Sequence, residues 1–143
     1  MNQATPDKSE FCWPVRIYWE DTDAGGVVFY ANYLKFFERA RTEWLRDLGV
    51  GQQALRESTG AIFVVSDTAL RYRAPAKLDD LLRITVLPTE IGRVSMTLQQ
   101  QAWRQDGEES TLLCEGSIRI GCVDALSFRP RRFPPAIVEA LSA

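Results

Sequence analysis

The feature that most constrains this chain is a single change of hydrophobic period. From about Asn32 to Leu48 the apolar residues Leu34, Phe37, Ala40, Trp44, Leu45 and Leu48 recur at helical spacing. Lys35, Glu38, Arg39, Thr42, Glu43 and Arg46 cover the other side. After a short polar stretch with one helical turn over Gln52 to Ser58, the spacing becomes two and stays there. Ile62, Val64, Leu70 and Tyr72 read as one face of a long strand; Leu82, Ile84 and Val86 mark a second. Val94, Met96 and Leu98 mark a third, and Leu112 through Cys122 a fourth. A short strand from Val15 to Glu20 precedes the helix. Pro75, Gly92 and Asp106-Gly107 break the runs and predict antiparallel neighbours. One long helix with about five antiparallel strands is an α+β layered domain. Residues 1–13 read as a flexible leader and 14–143 as one domain.

Local pairs refine the helix. Glu38 with Arg41 and Glu43 with Arg46 stand at i,i+3, and Gly49 is placed to end the helix. The sheet's outer face carries Arg71, Arg73, Arg83 and Arg119 among apolar residues, which leaves it open to self-association.

Composition narrows the chemistry. The 143 residues contain no histidine, which excludes serine–histidine and cysteine–histidine hydrolases and His-ligated zinc sites in their usual forms. Acid–base or nucleophilic work falls to carboxylates, Lys, Tyr or Cys. A net charge of −2 gives no broad basic field for nucleic acid, and no apolar run approaches a membrane span. Of the three cysteines, Cys114 and Cys122 lie about 26 Å apart along one extended strand, too far to bridge. They read as reduced core residues, which predicts a cytoplasmic protein, and the start lacks a secretory pattern.

The segment with chemical promise is Glu20-Asp21-Thr22-Asp23-Ala24-Gly25-Gly26, three carboxylates in a Gly-rich turn before the helix. The helix's first N–H groups, around Tyr30 to Tyr33, are orphan donors carrying positive partial charge. A carboxylate facing such donors suits attack on a carbonyl whose oxygen gains negative charge. Without histidine to protonate a poor leaving group, a thioester fits best, because a thiol leaves readily as thiolate. A calcium loop starting at Asp21 fails the count: Gly25 and Asn32 fall where ligands are required. On the residues alone, Asp21 and Asp23 serve equally well as caps of the turn and the helix start.

The stretch from Val15 through Glu-Asp-Thr-Asp-Ala-Gly-Gly-Val-Val-Phe-Tyr-Ala-Asn-Tyr to Arg46 resembles the signature of the 4-hydroxybenzoyl-CoA thioesterase family in the hotdog superfamily. More narrowly it is similar to the Tol–Pal-associated (YbgC-type) acyl-CoA thioesterases. The likeness continues through Tyr72-Arg-Ala-Pro-Ala-Lys-Leu-Asp-Asp, Cys114-Glu-Gly, Cys122-Val-Asp and Arg129-Pro-Arg-Arg-Phe-Pro. This resemblance implies a hotdog fold, a long helix wrapped by a curved antiparallel sheet, and hydrolysis of acyl-CoA to carboxylate and CoA without a cofactor or metal. It selects Asp23 as catalytic acid, nucleophile or general base, and the backbone N–H of Tyr30 as the amide that polarises the carbonyl. Tyr30 stands where Tol–Pal-associated relatives usually carry histidine, which leaves the acyl preference open. The resemblance also implies homodimers or homotetramers with sites at subunit interfaces. Gly26 and Asn32 join the substrate-binding set, Asn32 also suiting a helix cap. Arg73, Lys77, Arg93 and the run Arg129, Arg131 and Arg132 are candidate partners for CoA phosphates. The alternative is a non-catalytic module that binds acyl-CoA or acyl-carrier protein.

Overall fold

The computed structural model describes residues 10–142. Strand β1 (Phe11–Arg16) is followed by a 3₁₀ turn (Trp19–Asp21), then α1 (Asn32–Asp47) and the short α2 (Gln52–Thr59). Strands β2 (Ala61–Tyr72), β3 (Leu81–Ile91), β4 (Ser95–Asp106) and β5 (Glu109–Asp124) complete one sheet, and α3 (Pro135–Ser142) ends the described chain. The strand order is β1-β3-β4-β5-β2, antiparallel throughout, so β1 and β2 are the two edges.

Helix α1 lies against the inner face of this sheet. Its buried stripe is Tyr33, Phe36, Phe37, Ala40, Trp44 and Leu45, which meets Leu82, Ile84, Val86, Met96, Leu98, Cys114 and Ile118. Tyr33 and Phe36 join the expected stripe, whereas Leu34 is 42% exposed and leaves it. The buried stripe is rotated by about an eighth of a turn from the reading that began with Leu34. Its end is a Schellman motif: Gly49 N–H donates to Arg46 and Val50 N–H to Leu45. The Glu43–Arg46 pair forms at 2.6 Å. The expected Glu38–Arg41 pair does not, because Arg41 turns inward to the Gln100 amide at 3.0 Å and Glu38 accepts from Thr42.

Three further expectations are corrected. Phe11, Cys12 and Trp13, placed in the leader, pair with Val86, Thr85 and Ile84, so the edge strand starts inside that segment. Residues 1–9 of the expected leader lie outside the described residues. The strand expected to reach Glu20 stops at Arg16, where the chain turns into the 3₁₀ element. In β2 a bulge at Ser66, between the Val65–Ile120 and Asp67–Arg119 pairs, inserts one residue. A one-residue insertion exchanges faces. Phe63 and Leu70, odd and even, therefore both pack on the core, and Ile62 and Val64 face opposite to Leu70 and Tyr72.

At Gly116 on β5, strand β2 and the helix both approach closely. A Cβ there would collide with the Leu70 side chain and lie 2.9 Å from the Ala69 carbonyl oxygen and 3.6 Å from Phe37. The backbone oxygen cannot swing away. Gly116→Ala should therefore destabilise the fold by about 1–3 kcal/mol. Equal urea midpoints for the two proteins would show that the strands separate freely at this point.

Candidate active site

The acidic segment folds into a small hairpin. Thr22 bridges Val28, Asp23 N–H donates to the Val27 carbonyl at 2.9 Å, and Gly26 N–H donates to the Asp23 carbonyl at 3.0 Å. Gly26 has φ +80°, the left-handed position that follows the turn in a three-residue hairpin loop. Open space surrounds it, so the dihedral rather than crowding demands glycine. Its amide is taken by Asp23.

This geometry separates the acids. Asp21 is buried (8% exposed), and its Oδ2 accepts the Tyr18 N–H at 2.8 Å, capping the 3₁₀ turn. Glu20 is exposed. Asp23 is exposed too, and among the described residues its Oδ1 accepts only the N–H of Gly25, at 2.8 Å, within its own turn. Asp21 holds the loop, and Asp23 is presented by it.

Two bonds tie this loop to the start of α1. The Asp21 carbonyl accepts Phe29 N–H at 3.0 Å and the Asn32 side-chain amide at 2.8 Å. Asn32 is thus the first helical residue rather than a cap; the cap position is Ala31, which supplies no side-chain acceptor. Asn32 N–H donates to Phe29, and Leu34 N–H to Ala31. Among the described residues, no backbone bond takes up the N–H groups of Tyr30 and Ala31. Those two donors stand at the positive end of a 16-residue helix.

Beside them is a cavity of about 330 Å³ lined by Val28, Tyr30, Tyr33, Tyr72, Arg73, Ala74 and Pro75. Its wall is aromatic: Tyr30 and Tyr72 meet edge to face at 6.2 Å, and Tyr33 and Tyr72 at 5.7 Å. Burial pushes the Tyr33 phenol up to about 12.

The basic candidates divide by position. Lys77 adjoins the hairpin through its bridge to Val27, and Arg73 lines the aromatic cavity while pairing Glu115 at 2.7 Å. Arg93 sits in the turn after β3, about 30 Å along that strand from the Lys77–Asp80 end. Its carbonyl accepts Phe133 N–H. Arg131 is near that end as well, bonded to the Thr59 carbonyl and 3.7 Å from Asp124. Asp23 and Gly26 share the hairpin that Lys77 bridges and Asn32 ties to the helix, Tyr30 and Arg73 line the neighbouring cavity, and Arg93 lies apart. The sequence reading missed the hydrogen bond from the Tyr72 hydroxyl to the Tyr30 carbonyl, which no local pattern marks because the two residues are 42 apart.

Cysteine is a poor nucleophile here. Burial drives the Cys114 thiol up to about 12, with Glu115 adding to it, and burial raises Cys122 as well. In native protein at pH 8, Cys12, only partly buried, should react with a thiol reagent before Cys114 and Cys122. Mass mapping of the labelled chain checks this, and early labelling of Cys114 would contradict it.

A family model described as thioesterase superfamily (4HBT) matches residues 25–111, opening just past Asp23. The acyl-CoA thioester hydrolase YbgC of Escherichia coli O6:H1 is 48% identical over 128 residues, covering 90% of this chain and 92% of that protein. The acyl-CoA thioesterase YbgC of Haemophilus influenzae is 42% identical over 130 residues, covering 91% and 93%. A probable thioesterase from Bartonella henselae superposes with TM-score 0.80 at 31% identity, covering 88% of this chain and 100% of that one. With its long helix against a five-stranded antiparallel sheet and these likenesses, the chain belongs to the thioesterase superfamily and has the hotdog fold.

Proposed function

We propose that the chain hydrolyses the thioester of acyl-CoA to a free carboxylic acid and CoA. The observation that carries this reading is the contrast between a buried, engaged Asp21 and an exposed Asp23 on a loop bonded to the start of α1. Asp23 attacks the thioester carbonyl, or draws a proton from the attacking water. The Tyr30 N–H receives the charge that develops on the carbonyl oxygen. The C–S bond then breaks and sulfur departs as CoA thiolate, which needs no general acid. Where Asp23 is the nucleophile, water then hydrolyses the mixed anhydride, releasing the carboxylic acid and restoring the Asp23 carboxylate. The names of the two YbgC relatives support the same substrate class.

Of the basic candidates, Lys77 and Arg73 lie near the reacting loop and serve the CoA side of the substrate. Arg93 and the arginines after β5 reach it only if a second copy of the chain supplies them, so the reading includes a homodimer or homotetramer. An acyl-carrier protein presents the same thioester and is a candidate partner. A reducing cytoplasm suits the three free cysteines, and a connection to the Tol–Pal system belongs to this same reading. Among the described residues no helix is long and apolar enough to cross a membrane.

The test is free-thiol release from butanoyl-, palmitoyl- and benzoyl-CoA. Turnover of at least one supports hydrolysis and identifies the acyl class. Tight binding without release across all three would favour the non-catalytic module instead.

A further inference from the structure

The start of α1 leaves one carbonyl unclaimed by the helix itself. Tyr30 precedes the Ala31 cap, so its carbonyl lies outside the helical ladder, and Leu34 N–H donates to Ala31 at 3.1 Å. The vacancy is filled from another element. Tyr72, the last residue of edge strand β2, donates its hydroxyl to the Tyr30 carbonyl at 2.9 Å.

The consequence follows from peptide geometry. In a planar trans peptide the C=O and the next residue's N–H point in opposite directions, so fixing one aims the other. The Phe29 carbonyl is held by Asn32 N–H at 2.8 Å, which aims the Tyr30 N–H. The Tyr30 carbonyl is held by Tyr72, which aims the Ala31 N–H. Both aimed N–H groups lack a backbone acceptor among the described residues. Accepting a hydrogen bond at the carbonyl also polarises the attached N–H and strengthens it as a donor. Tyr30 is 63% exposed, and its ring is held mainly by Phe29 at 4.8 Å and Tyr72 at 6.2 Å. Without the phenol, the Tyr30–Ala31 peptide is free to rotate.

We infer that Tyr72 is a positioning residue for the reaction: its hydroxyl locks the Tyr30–Ala31 peptide so that the Ala31 N–H joins the Tyr30 N–H in facing the developing oxyanion. The inference rests on the proposed thioesterase reading. Tyr72 touches no reacting atom in this role. It acts through the backbone it holds.

The test is the steady-state kinetics of Tyr72→Phe beside wild type and Asp23→Asn, with thermal melts of all three. Phe keeps the ring contacts to Tyr30 and Tyr33 and removes only the donor. A misaimed donor should lower kcat by about 10- to 100-fold, below or near the loss for deleting one outright. KM should stay within about twofold, because the effect appears only as charge develops. A second protein carries 3,5-difluorotyrosine at position 72, whose phenol loses its proton at lower pH. Its kcat should fall with rising pH over a range where the wild-type rate is flat. Unchanged kcat in folded Tyr72→Phe, with Asp23→Asn inactive, overturns the inference and leaves the thioesterase reading intact. A lowered melting temperature with kcat unchanged, or a KM rise matching the loss in kcat/KM, overturns it too. Should Tyr72→Phe fail to fold, a difluorotyrosine pH profile that matches wild type overturns it. No turnover by wild type on any substrate defeats the thioesterase reading, and this inference with it.

Discussion

Replacing Asp23 by Asn should abolish thiol release, lowering kcat by about 10³-fold or more while the protein stays folded. Asn keeps the side-chain oxygen that accepts Gly25 N–H, so the turn around Gly25 and Gly26 survives. What it lacks is the negative charge needed to attack a carbonyl or take a proton from water, a role worth roughly 10²–10⁴ for general bases. Asp21→Ala should behave in the opposite way. There the carboxylate is buried against the Tyr18 N–H, so its loss weakens the cap by about 1 kcal/mol and lowers the melting temperature. The loop that presents Asp23 also hangs on the Asp21 backbone carbonyl, which the substitution leaves in place. Rates and melts measured side by side for the two variants separate chemistry from support. If folded Asp23→Asn turns over like wild type, another group carries the reaction.

That contrast also marks how far the sequence can be read. Three acids in four residues were visible, and the resemblance singled out Asp23. Residue pattern alone could not tell a presented carboxylate from a capping one, because the distinction depends on whether Tyr18 N–H lies within reach. The element order was legible because a helical stripe and alternating strands leave strong periodic traces. The finer placements were lost where one residue changes the phase. The bulge at Ser66 reversed the faces of half of β2, and the apparent stripe through Leu34 hid a true one through Tyr33 and Phe36. Pro14 masked the start of β1, since proline reads as a strand break although an edge strand needs only one hydrogen-bonded side. The Tyr72–Tyr30 bond had no trace at all. It joins the end of one strand to the turn before a helix, a contact that exists only after the sheet has closed over α1.

The same limit hid Gln100, which carries the second large expected effect. Parity with Met96 and Leu98 points it inward, and it is fully buried in the centre of β4. Its amide nitrogen donates to the Phe37 carbonyl in the middle of α1 at 3.0 Å and approaches the Thr85 carbonyl at 3.4 Å. Its oxygen accepts from Arg41 at 3.0 Å. Burial already disfavours the Arg41 charge, with Glu38 compensating in part. Gln100→Leu would pack at similar volume yet strip the guanidinium of that acceptor. A half-buried cation left without it should destabilise the protein by about 2 kcal/mol, toward the lower end for broken buried polar pairs. Arg41→Leu alone strands the amide oxygen and should also destabilise, by about 1 kcal/mol. Removing both groups leaves no unmatched atom between them, so the double variant should lose less than the sum, with a coupling of about 1 kcal/mol. Urea unfolding of the four proteins measures that cycle, and strictly additive losses would mean the two side chains do not depend on each other. The bond to Phe37 also fixes α1 along its axis relative to β4, and the Tyr30 and Ala31 donors sit at the end of that helix. A small slide of α1 would move them from their target, so Gln100→Leu should lower kcat even at temperatures where the variant remains fully folded.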